Sequence, residues 1–230
     1  PAMPARPRLP RRAPRPPRPR PTLAPRLAAA LLALALALAP ASTARAQRLA
    51  GSGPLASVPA PVLLDTTGRF RAAAARVGDD VFVTGQPTEQ ALRELREQGV
   101  TTVVNLRTPE EMRTAVPYDE EALAARLGMR YVALPVRGDT LHPYTPATVA
   151  RFAEALRRAD GKVLLHCTIA WRASHLWAAY LVAERALPLE MALDHARQIN
   201  LLGWRREGAP RQPVEDFLGR TLPTLARPVP

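Results

Sequence analysis

The sequence contains a single cysteine, Cys167, among 230 residues. One cysteine cannot form a disulfide within the chain, so no disulfide framework supports this fold. The thiol is therefore a small buried apolar group, a link between chains or a reactive group. His166 directly before it and Arg172 after it favour the reactive group, because cationic neighbours stabilise a thiolate.

Several familiar site patterns are also missing. No GxxxxGK[ST] segment occurs, which argues against a P-loop nucleotide site. The four histidines and the lone cysteine show no metal-ligand spacing, so we predict no metal and no cofactor. His142, His175 and His195 show no recognisable pairing with Cys167, and a Cys-His protease is correspondingly disfavoured.

Acidic residues are absent from positions 1–46, which contain nine arginines. The other 184 residues hold 23 of the 32 basic residues and all 20 acidic ones, a net charge of +3. The overall charge of +12 therefore belongs mainly to the N-terminal segment. Because no basic face with interleaved aromatic residues remains, we expect no nucleic-acid partner.

The N-terminal segment has the organisation of a secretory signal peptide over residues 1–46. Arginine-rich sequence precedes an apolar run from Leu27 to Ala39, and Ala44–Arg45–Ala46 predicts cleavage before Gln47. The run is shorter than the roughly 20 residues of a membrane span, so we expect no stable membrane insertion after cleavage. Since the chain begins at Pro1, the start codon is expected at Met3 or upstream. These features predict a periplasmic or secreted bacterial protein.

The remaining chain divides into a flexible arm at 47–68, a catalytic domain at 69–222 and an irregular tail at 223–230. Strands alternate with helices inside the domain, which predicts a three-layer α-β-α sandwich around a mainly parallel sheet of four to five strands. The predicted strands are 81–83, 100–106, 130–134 and 162–165. The predicted helices follow Thr88 and cover 118–127, 145–159, 173–184, 188–199 and 213–218.

The segment from Lys162 to Tyr180, KVLLHCTIAWRASHLWAAY, combines a buried strand with a following helix. A thiol at this junction lies where backbone N–H groups and the positive end of a helix dipole converge, a setting that binds anions. Arg172 adds a planar fork suited to two oxygens of a phosphate. The pattern indicates a thiolate that attacks the centre of a bound oxyanion.

The order of motifs resembles that of the cysteine-dependent tyrosine and dual-specificity phosphatases. The segments that carry the resemblance are VTGQPTEQALRELREQGVTTVVNLR, YVALPV and VLLHC with Arg172. They are most similar to the small bacterial branch with four residues between cysteine and arginine, the beta-lactamase-hydrolase-like phosphatase type. The resemblance spans residues 81–201 and implies a phosphorylated substrate, either a protein or a small molecule. Phosphotyrosine, phosphoserine, sugar phosphate and lipid phosphate all stay open, and the sequence indicates no oligomeric state.

This resemblance implies roles for individual residues. Cys167 becomes the nucleophile, Arg172 binds the phosphoryl oxygens, and Asp139 is the general acid for the leaving oxygen. His166 orients the loop, and Ser174 is a candidate hydrogen-bond donor to the sulfur. The residues expected to line the anion cradle are Thr168, Ile169, Ala170 and Trp171.

The loop departs from the usual phosphatase pattern. Most such loops have five residues between cysteine and arginine, a hydroxyl residue directly after the arginine, and glycine within the loop. Here four residues intervene, Ala173 follows Arg172, and no glycine is present. Because glycine permits positive φ and close approach of the backbone to phosphate, Ala170 is expected to strain the cradle. Trp171 is expected to cover it or to stack on a substrate ring.

Two other functions fit parts of the same pattern. A rhodanese-type sulfurtransferase also places a cysteine in an anion-binding loop after a strand, but its cysteine carries a persulfide. A non-catalytic module that binds phosphorylated or other anionic ligands fits the glycine-free loop. The Gly85–Gln86–Pro87 and Asn105–Leu106–Arg107 elements favour the phosphatase over both.

The remaining charged residues have simple expected roles. The pairs Glu110–Glu111 and Glu120–Glu121 are expected to be solvated helix starts that complement the helix dipole. Asp119 is a second candidate for the acid but is expected to act as a helix N-terminal charge. Arg107 is expected to form a structural salt bridge.

Overall fold

A six-stranded sheet organises the computed structural model, which describes residues 58–201 and 212–221. The strands are β1 (Pro61–Leu63), β2 (Ala74–Val77), β3 (Val81–Thr84), β4 (Val100–Asn105), β5 (Arg130–Ala133) and β6 (Lys162–His166). Their order across the sheet is β1-β2-β3-β6-β4-β5. The pairs β3–β6, β6–β4 and β4–β5 are parallel, whereas β1–β2 and β2–β3 are antiparallel. β6 therefore lies near the centre of the sheet, and Cys167 follows directly after its carboxyl end.

Seven helices occur within the described residues. They are α1 (Glu89–Glu97), α2 (Pro109–Ala115), α3 (Glu120–Arg126), α4 (Pro146–Arg157), α5 (Trp171–Arg185), α6 (Leu189–Ile199) and α7 (Gln212–Leu218). Local sequence explains the starts of α1 to α4, because Thr88, Thr108, Asp119 and Thr145 each accept a hydrogen bond from a first-turn N–H group. Thr108 and Glu111 form a complete capping box at α2.

Apolar side chains form a separate core on each face of the sheet. One face packs α4, α5, α6 and α7 against strand residues that include Val83, Val104 and Leu165. The other packs α1 and α3 against residues that include Val103 and Leu164. Leu164 and Leu165 lie in different cores because successive side chains of a strand point to opposite faces of the sheet. The result is three layers, helix, sheet and helix.

The predicted α/β sandwich with a mainly parallel sheet is confirmed, with two additions. The sheet has six strands rather than four to five, because Pro61–Leu63, within the segment expected as a flexible arm, pairs with β2. The helix start expected at Glu110–Glu111 is present as α2, whose extent was not predicted, and none of its residues is buried. The predicted signal peptide at 1–46, the arm up to residue 57 and the tail at 223–230 lie outside the described residues.

Neither a membrane span nor a metal cluster is found in the described part of the chain. No helix within 58–201 and 212–221 is both long and apolar enough to cross a bilayer. The same residues contain no group of three or more His, Cys, Asp or Glu side chains placed to hold a metal ion.

Candidate active site

Cys167 follows the last residue of β6 and begins a short loop, Cys167–Arg172, which we call the cysteine loop. The N–H of Cys167 donates to the carbonyl oxygen of Thr84 at 3.2 Å, which continues the pairing of β6 with β3. The side chain is 1% exposed, and the thiol is not in a disulfide. Helix α5 begins at Trp171, so the sulfur-bearing residue lies between the end of a central strand and the start of a long helix, as the sequence predicts.

Two hydrogen bonds to its carbonyl oxygens hold the cysteine loop in place. The carbonyl of Thr168 accepts from the N–H of Gln86 at 3.1 Å, and the Asn200 side-chain amide donates to the carbonyl of Ile169. Because a trans peptide directs its N–H opposite to its C=O, the N–H of Ile169 points away from Gln86. The first-turn N–H groups of α5 have no intrahelical acceptor. This arrangement suits a bound oxyanion.

Ala170 occupies the backbone conformation that glycine normally takes. Its φ is +67° and its ψ is −5°, and it directly precedes α5. A left-handed conformation costs an alanine roughly 1–2 kcal/mol. The side chain is completely buried, so the surrounding core holds the residue in this conformation. The expected strain at Ala170 is therefore present in the structure.

Arg172 lies in the first turn of α5 and is anchored by a carboxylate. Its Nη1 donates to Glu111 Oε2 at 2.9 Å, and its Nη2 donates to Glu111 Oε1 at 2.7 Å. Nη1 also donates to the carbonyl of Val136 at 2.7 Å, and Nη2 donates to the hydroxyl of Thr168 at 2.9 Å. These contacts position the guanidinium at the loop and join it to α2 and to the segment after β5.

The Glu111–Arg172 pair changes the pKa of both partners. Burial by itself disfavours the Glu111 carboxylate, but hydrogen bonds from Arg172 and from the backbone of Thr108 hold its pKa at about 2. Burial likewise disfavours the Arg172 cation, but the hydrogen bond to Glu111 and the nearby Cys167 raise the pKa of Arg172. Both groups are therefore charged at neutral pH. The expectation that Glu111 is a solvated helix start is wrong, because its carboxylate binds Arg172.

His166 and Glu120 form a buried pair beneath the cysteine loop. His166 Nε2 lies 2.8 Å from Glu120 Oε1, and both side chains are completely buried. Neither ring nitrogen of His166 makes a well-aligned hydrogen bond within the described residues. Burial disfavours the Glu120 anion, but the charge of His166 and the hydrogen bonds from Gln86 and Tyr131 together lower the pKa of Glu120. Glu120 was expected to be solvated, and this is wrong because its carboxylate is buried against His166, the last residue of β6.

Polar side chains surround the Glu120 carboxylate. It accepts hydrogen bonds from Tyr131 at 3.1 Å, from Tyr118 at 3.2 Å and from the side-chain amide of Gln86. Burial and the Glu120 charge raise the pKa of both tyrosines, so both remain protonated donors. His166 is therefore placed by a network that reaches from β3 to β5.

Arg107, at the end of β4, is a second buried cation near the cysteine. Its Nη1 donates to the Gln86 side-chain oxygen at 2.6 Å, and its Nη2 donates to the main-chain oxygen of Glu111 at 3.1 Å. Arg107 is 3% exposed, and burial lowers its pKa. The predicted structural salt bridge is not observed, because both acceptors are neutral oxygens.

Asp139 lies on the loop that follows β5, where the resemblance places a general acid. Its Oδ1 accepts from the N–H groups of Leu141 and His142 at 3.1 and 2.7 Å. The carboxylate also lies 3.6 Å from His142 Nδ1 and 3.8 Å from Arg137 Nε, and it is exposed. The loop is joined to the site through Val136, whose carbonyl binds Arg172.

Tyr144 packs against the Asp139 loop near the cysteine. Its ring lies against Gly138, where an added Cβ would be 2.6 Å from Cε2, and against Phe217 at a centroid distance of 4.9 Å. Burial raises the pKa of Tyr144 to about 12, although the positive charge of Arg172 acts in the opposite direction. Sequence reasoning did not identify this residue, because no local motif marks it.

Trp171 and Ser174 have internal partners. The Trp171 ring lies 4.4 Å from the ring of His175 and is half-buried. The Ser174 hydroxyl donates to the carbonyl of Ala170 at 2.8 Å. The predicted hydrogen bond from Ser174 to sulfur is not observed, because residue 174 lies one helical turn after Ala170 and its single hydroxyl proton binds that carbonyl.

Two cavities border residues of the network around Glu120. The larger, about 560 Å³, is bordered by α2 and the start of α3 and includes Met112, Tyr131 and Pro135. The smaller, about 350 Å³, includes Phe70, Arg71 and Pro87. Arg107 and Tyr118 border both cavities. Both cavities are therefore connected to the residues that hold the cysteine loop.

Residues 73–183 match the family described as beta-lactamase hydrolase-like protein, phosphatase-like domain. This segment is similar to the phosphatase-like domain of that family. A beta-lactamase hydrolase-like protein of Xylella fastidiosa (strain Temecula1) is 29% identical over 128 residues, which are 54% of this chain and 29% of that protein. Its counterpart in Agrobacterium fabrum is 30% identical over 105 residues, 45% of this chain and 24% of that protein. The matched region is thus less than a third of the length of either relative.

The fold of the phosphatase-like domain is shared with a solved structure. The crystal structure of P. aeruginosa TpbA aligns with a TM-score of 0.52 at 21% identity and covers 72% of this chain and 92% of TpbA. At this identity the similarity concerns the fold alone. The family and fold implied by the sequence resemblance are confirmed.

Sequence reasoning singled out Cys167, its loop and Arg172 but not the residues that hold them in place. Glu111, Glu120 and Gln86 hold Arg172, His166 and Thr168 respectively. The T-x-x-E pattern at Thr108 was available as a signal for a helix start. It does not reveal that the same glutamate binds an arginine 61 residues later.

Proposed function

We propose that this protein is an exported phosphatase that hydrolyses phosphate monoesters through a cysteinyl-phosphate intermediate. The observation that carries the proposal is the convergence of Cys167, the start of α5 and Arg172 in one loop at the carboxyl end of a central strand. Open α/β sheets bind ligands at this edge. Export is supported by the signal-peptide pattern of residues 1–46.

In the first step, the Cys167 thiolate donates an electron pair to phosphorus and forms the S–P bond. The bond between phosphorus and the ester oxygen breaks at the same time, and Asp139 transfers its proton to the departing oxygen. Charge that develops on the phosphoryl oxygens is stabilised by Arg172 and by the N–H groups at the start of α5.

In the second step, water attacks phosphorus and the S–P bond breaks. Asp139, now a carboxylate, accepts a proton from the water, and the thiolate of Cys167 is regenerated with release of phosphate. Proton and charge therefore balance over the cycle. The residues supply all the groups required, and no cofactor takes part in either step.

The substrate is proposed to be a small phosphate ester or a phosphorylated component of the cell envelope. A periplasm holds little ATP, so phosphorylated proteins are less expected there. Relative turnover of a panel of phosphate esters, which includes phosphotyrosine peptides, sugar phosphates and lipid phosphates, tests this assignment.

The decisive experiment measures hydrolysis of an aryl phosphate against pH with the chain from Gln47 onward. We expect Cys167→Ser to lose turnover, and we expect the Asp139→Asn profile to lose its fall on the alkaline side. Asp79→Asn is a matched control, because Asp79 is an exposed aspartate in the turn between β2 and β3. It should behave as wild type.

Absence of wild-type turnover over the whole panel would contradict the proposal. Release of thiocyanate from thiosulfate and cyanide would then identify a sulfurtransferase. Binding of phosphate esters without turnover, unchanged in Cys167→Ser, would instead identify an anion-binding module.

A further inference from the structure

Arg71 lies at the same edge of the sheet as the cysteine loop, and Gln86 links the two by backbone hydrogen bonds. Its N–H donates to the carbonyl of Gln86 at 3.0 Å, and the N–H of Gln86 donates to the carbonyl of Thr168 at 3.1 Å. A Cβ added to Gly85 would lie 1.7 Å from the carbonyl oxygen of Arg71 and 3.1 Å from that of Thr168, so the Arg71 backbone comes within about 5 Å of the loop. An arginine side chain is long enough to bind a group on a substrate that occupies the loop.

The backbone around Arg71 is held rigidly. Gly85 lies between Arg71 and Thr168, and a Cβ added to Gly85 would be 1.7 Å from the carbonyl oxygen of Arg71. Ala72, directly after Arg71, has a φ of +70°. A left-handed conformation at a residue other than glycine is costly and is often found at ligand sites. The position of Arg71 is thus determined by the same contacts that hold the cysteine loop.

Arg71 borders the smaller cavity of about 350 Å³, and Phe70, Pro87 and Tyr118 contribute apolar surface to it. The Arg71 side chain is exposed. Within residues 58–201 and 212–221, its guanidinium has no hydrogen-bond or ion-pair partner.

The other charged groups at this cavity already have partners. Arg69 binds Glu94 at 2.6 Å, and Glu89 lies 3.7 Å from Arg93. Arg107, whose contacts are to neutral oxygens, also borders the cavity. The charge left for a ligand is therefore positive. An anion attached to an apolar or aromatic group fits both the charge and the walls.

We propose that this cavity binds a second anionic group of the substrate, with Arg71 as the residue that selects it. The substrate class is then a phosphate monoester with a carboxylate or a second phosphate on an aromatic or short apolar spacer. The inference deepens the proposed phosphatase function and rests on it.

The test compares two esters that differ only in the distal group, 3-(4-phosphonooxyphenyl)propanoate and its amide. Wild-type protein should prefer the acid over the amide by about tenfold in kcat/KM, because a charge-assisted hydrogen bond is lost in the amide. Arg71→Gln should lower the preference to near one while turnover of the amide is unchanged. Arg71→Lys should keep part of the preference for the acid over the amide.

A matched control and salt dependence refine the test. Arg126 is an exposed arginine in the last turn of α3, at the opposite edge of the sheet, so Arg126→Gln should keep the wild-type preference. The preference should also fall as salt is raised from 0.05 to 0.5 M, since exposed charges are screened (these two concentrations span Debye lengths of roughly 14 to 4 Å). An analogue with a phosphate in place of the carboxylate shows which anion is favoured.

The outcomes separate the two proposals. Turnover of the acid and the amide at equal rates by wild type would overturn the cavity assignment and leave the phosphatase intact. Turnover of neither ester would contradict the phosphatase. Calorimetric binding of the two esters to wild type and to Arg71→Gln then tests the cavity, which is rejected if the acid shows no advantage that depends on Arg71.

Discussion

Both oxygens of the Glu111 carboxylate lie within 2.9 Å of the two terminal nitrogens of Arg172. The glutamate also completes the capping box of α2, so one carboxylate starts a helix and positions the arginine of the cysteine loop. The paired geometry is bidentate, the arrangement in which an arginine is held most firmly. Arg172 is 8% exposed, and its orientation therefore depends on Glu111.

Glu111→Gln should lower kcat/KM for aryl phosphates by about tenfold, because loss of the ionic contact loosens the position of Arg172. Glutamine can still occupy the third position of a capping box, so α2 is expected to remain. Steady-state kinetics measures the loss, and Glu110→Gln, the exposed neighbour, is the control. Equal activity of the two variants would show that Glu111 does not position Arg172.

The same substitution should change the pH dependence of stability. The pKa of Glu111 is about 2 in the folded protein against an ordinary value of 4.5. A lowered carboxyl pKa stabilises the fold above pH 5, and this contribution is lost as the pH falls towards 2. The contribution of Glu111 to the free energy of unfolding is up to about 3 kcal/mol. Urea unfolding at several pH values should show wild type more stable than Glu111→Gln at pH 7, with a difference that shrinks between pH 5 and pH 2.

Glu120→Gln should destabilise the protein by about 3 kcal/mol, because it removes one charge of a buried pair and leaves His166 without its partner. Glu121→Gln is the matched control, since Glu121 is the next residue in α3 and is exposed. Glu121→Gln should change the free energy of unfolding by no more than about 0.5 kcal/mol. Urea midpoints at pH 7 compare the two. Similar midpoints would indicate that the His166–Glu120 contact contributes little to the free energy of unfolding.

Gly138→Ala should reduce activity more than Gly128→Ala does. Both glycines have positive φ, +81° and +67°, so each alanine costs roughly 1 kcal/mol of backbone strain. Only at Gly138 does the added Cβ meet a neighbour, the Tyr144 ring, whereas Gly128 has open space. The Asp139 loop must therefore shift in Gly138→Ala. Kinetics and thermal unfolding of both variants should show similar stability losses of backbone origin but a selective loss of kcat for Gly138→Ala.

Ala170→Gly should be nearly neutral in stability, whereas Ala179→Gly should cost about 2 kcal/mol. Both alanines are completely buried, so each loses one methyl group from the core. At Ala170 this loss is offset by relief of the left-handed conformation, but at Ala179, inside α5, glycine adds a helix-propensity cost. Differential scanning calorimetry compares the two variants. Equal costs would mean that Ala170 is not strained.

Much of the fold follows from short stretches of sequence. The β-branched run at Val100–Asn105 and the apolar run before His166 predict strands, and Thr88 and Thr145 predict helix starts that the structure contains. Strand β1 was not predicted, because a segment of three residues is too short to show the alternating pattern of a strand. Its pairing depends on β2. Helix α2 has no buried residue, so no apolar stripe indicates it.

The sequence by itself determined that Cys167, Arg172 and the strand–loop–helix that carries them come together, because the two residues lie within six positions of one another and local geometry joins them. Tertiary structure alone decided their partners. Glu111 and Glu120 look like solvated helix starts until α2 and α3 are placed beside α5 and β6. A charged residue at a helix start is solvated or buried according to what packs against it, and that neighbour comes from a distant part of the chain.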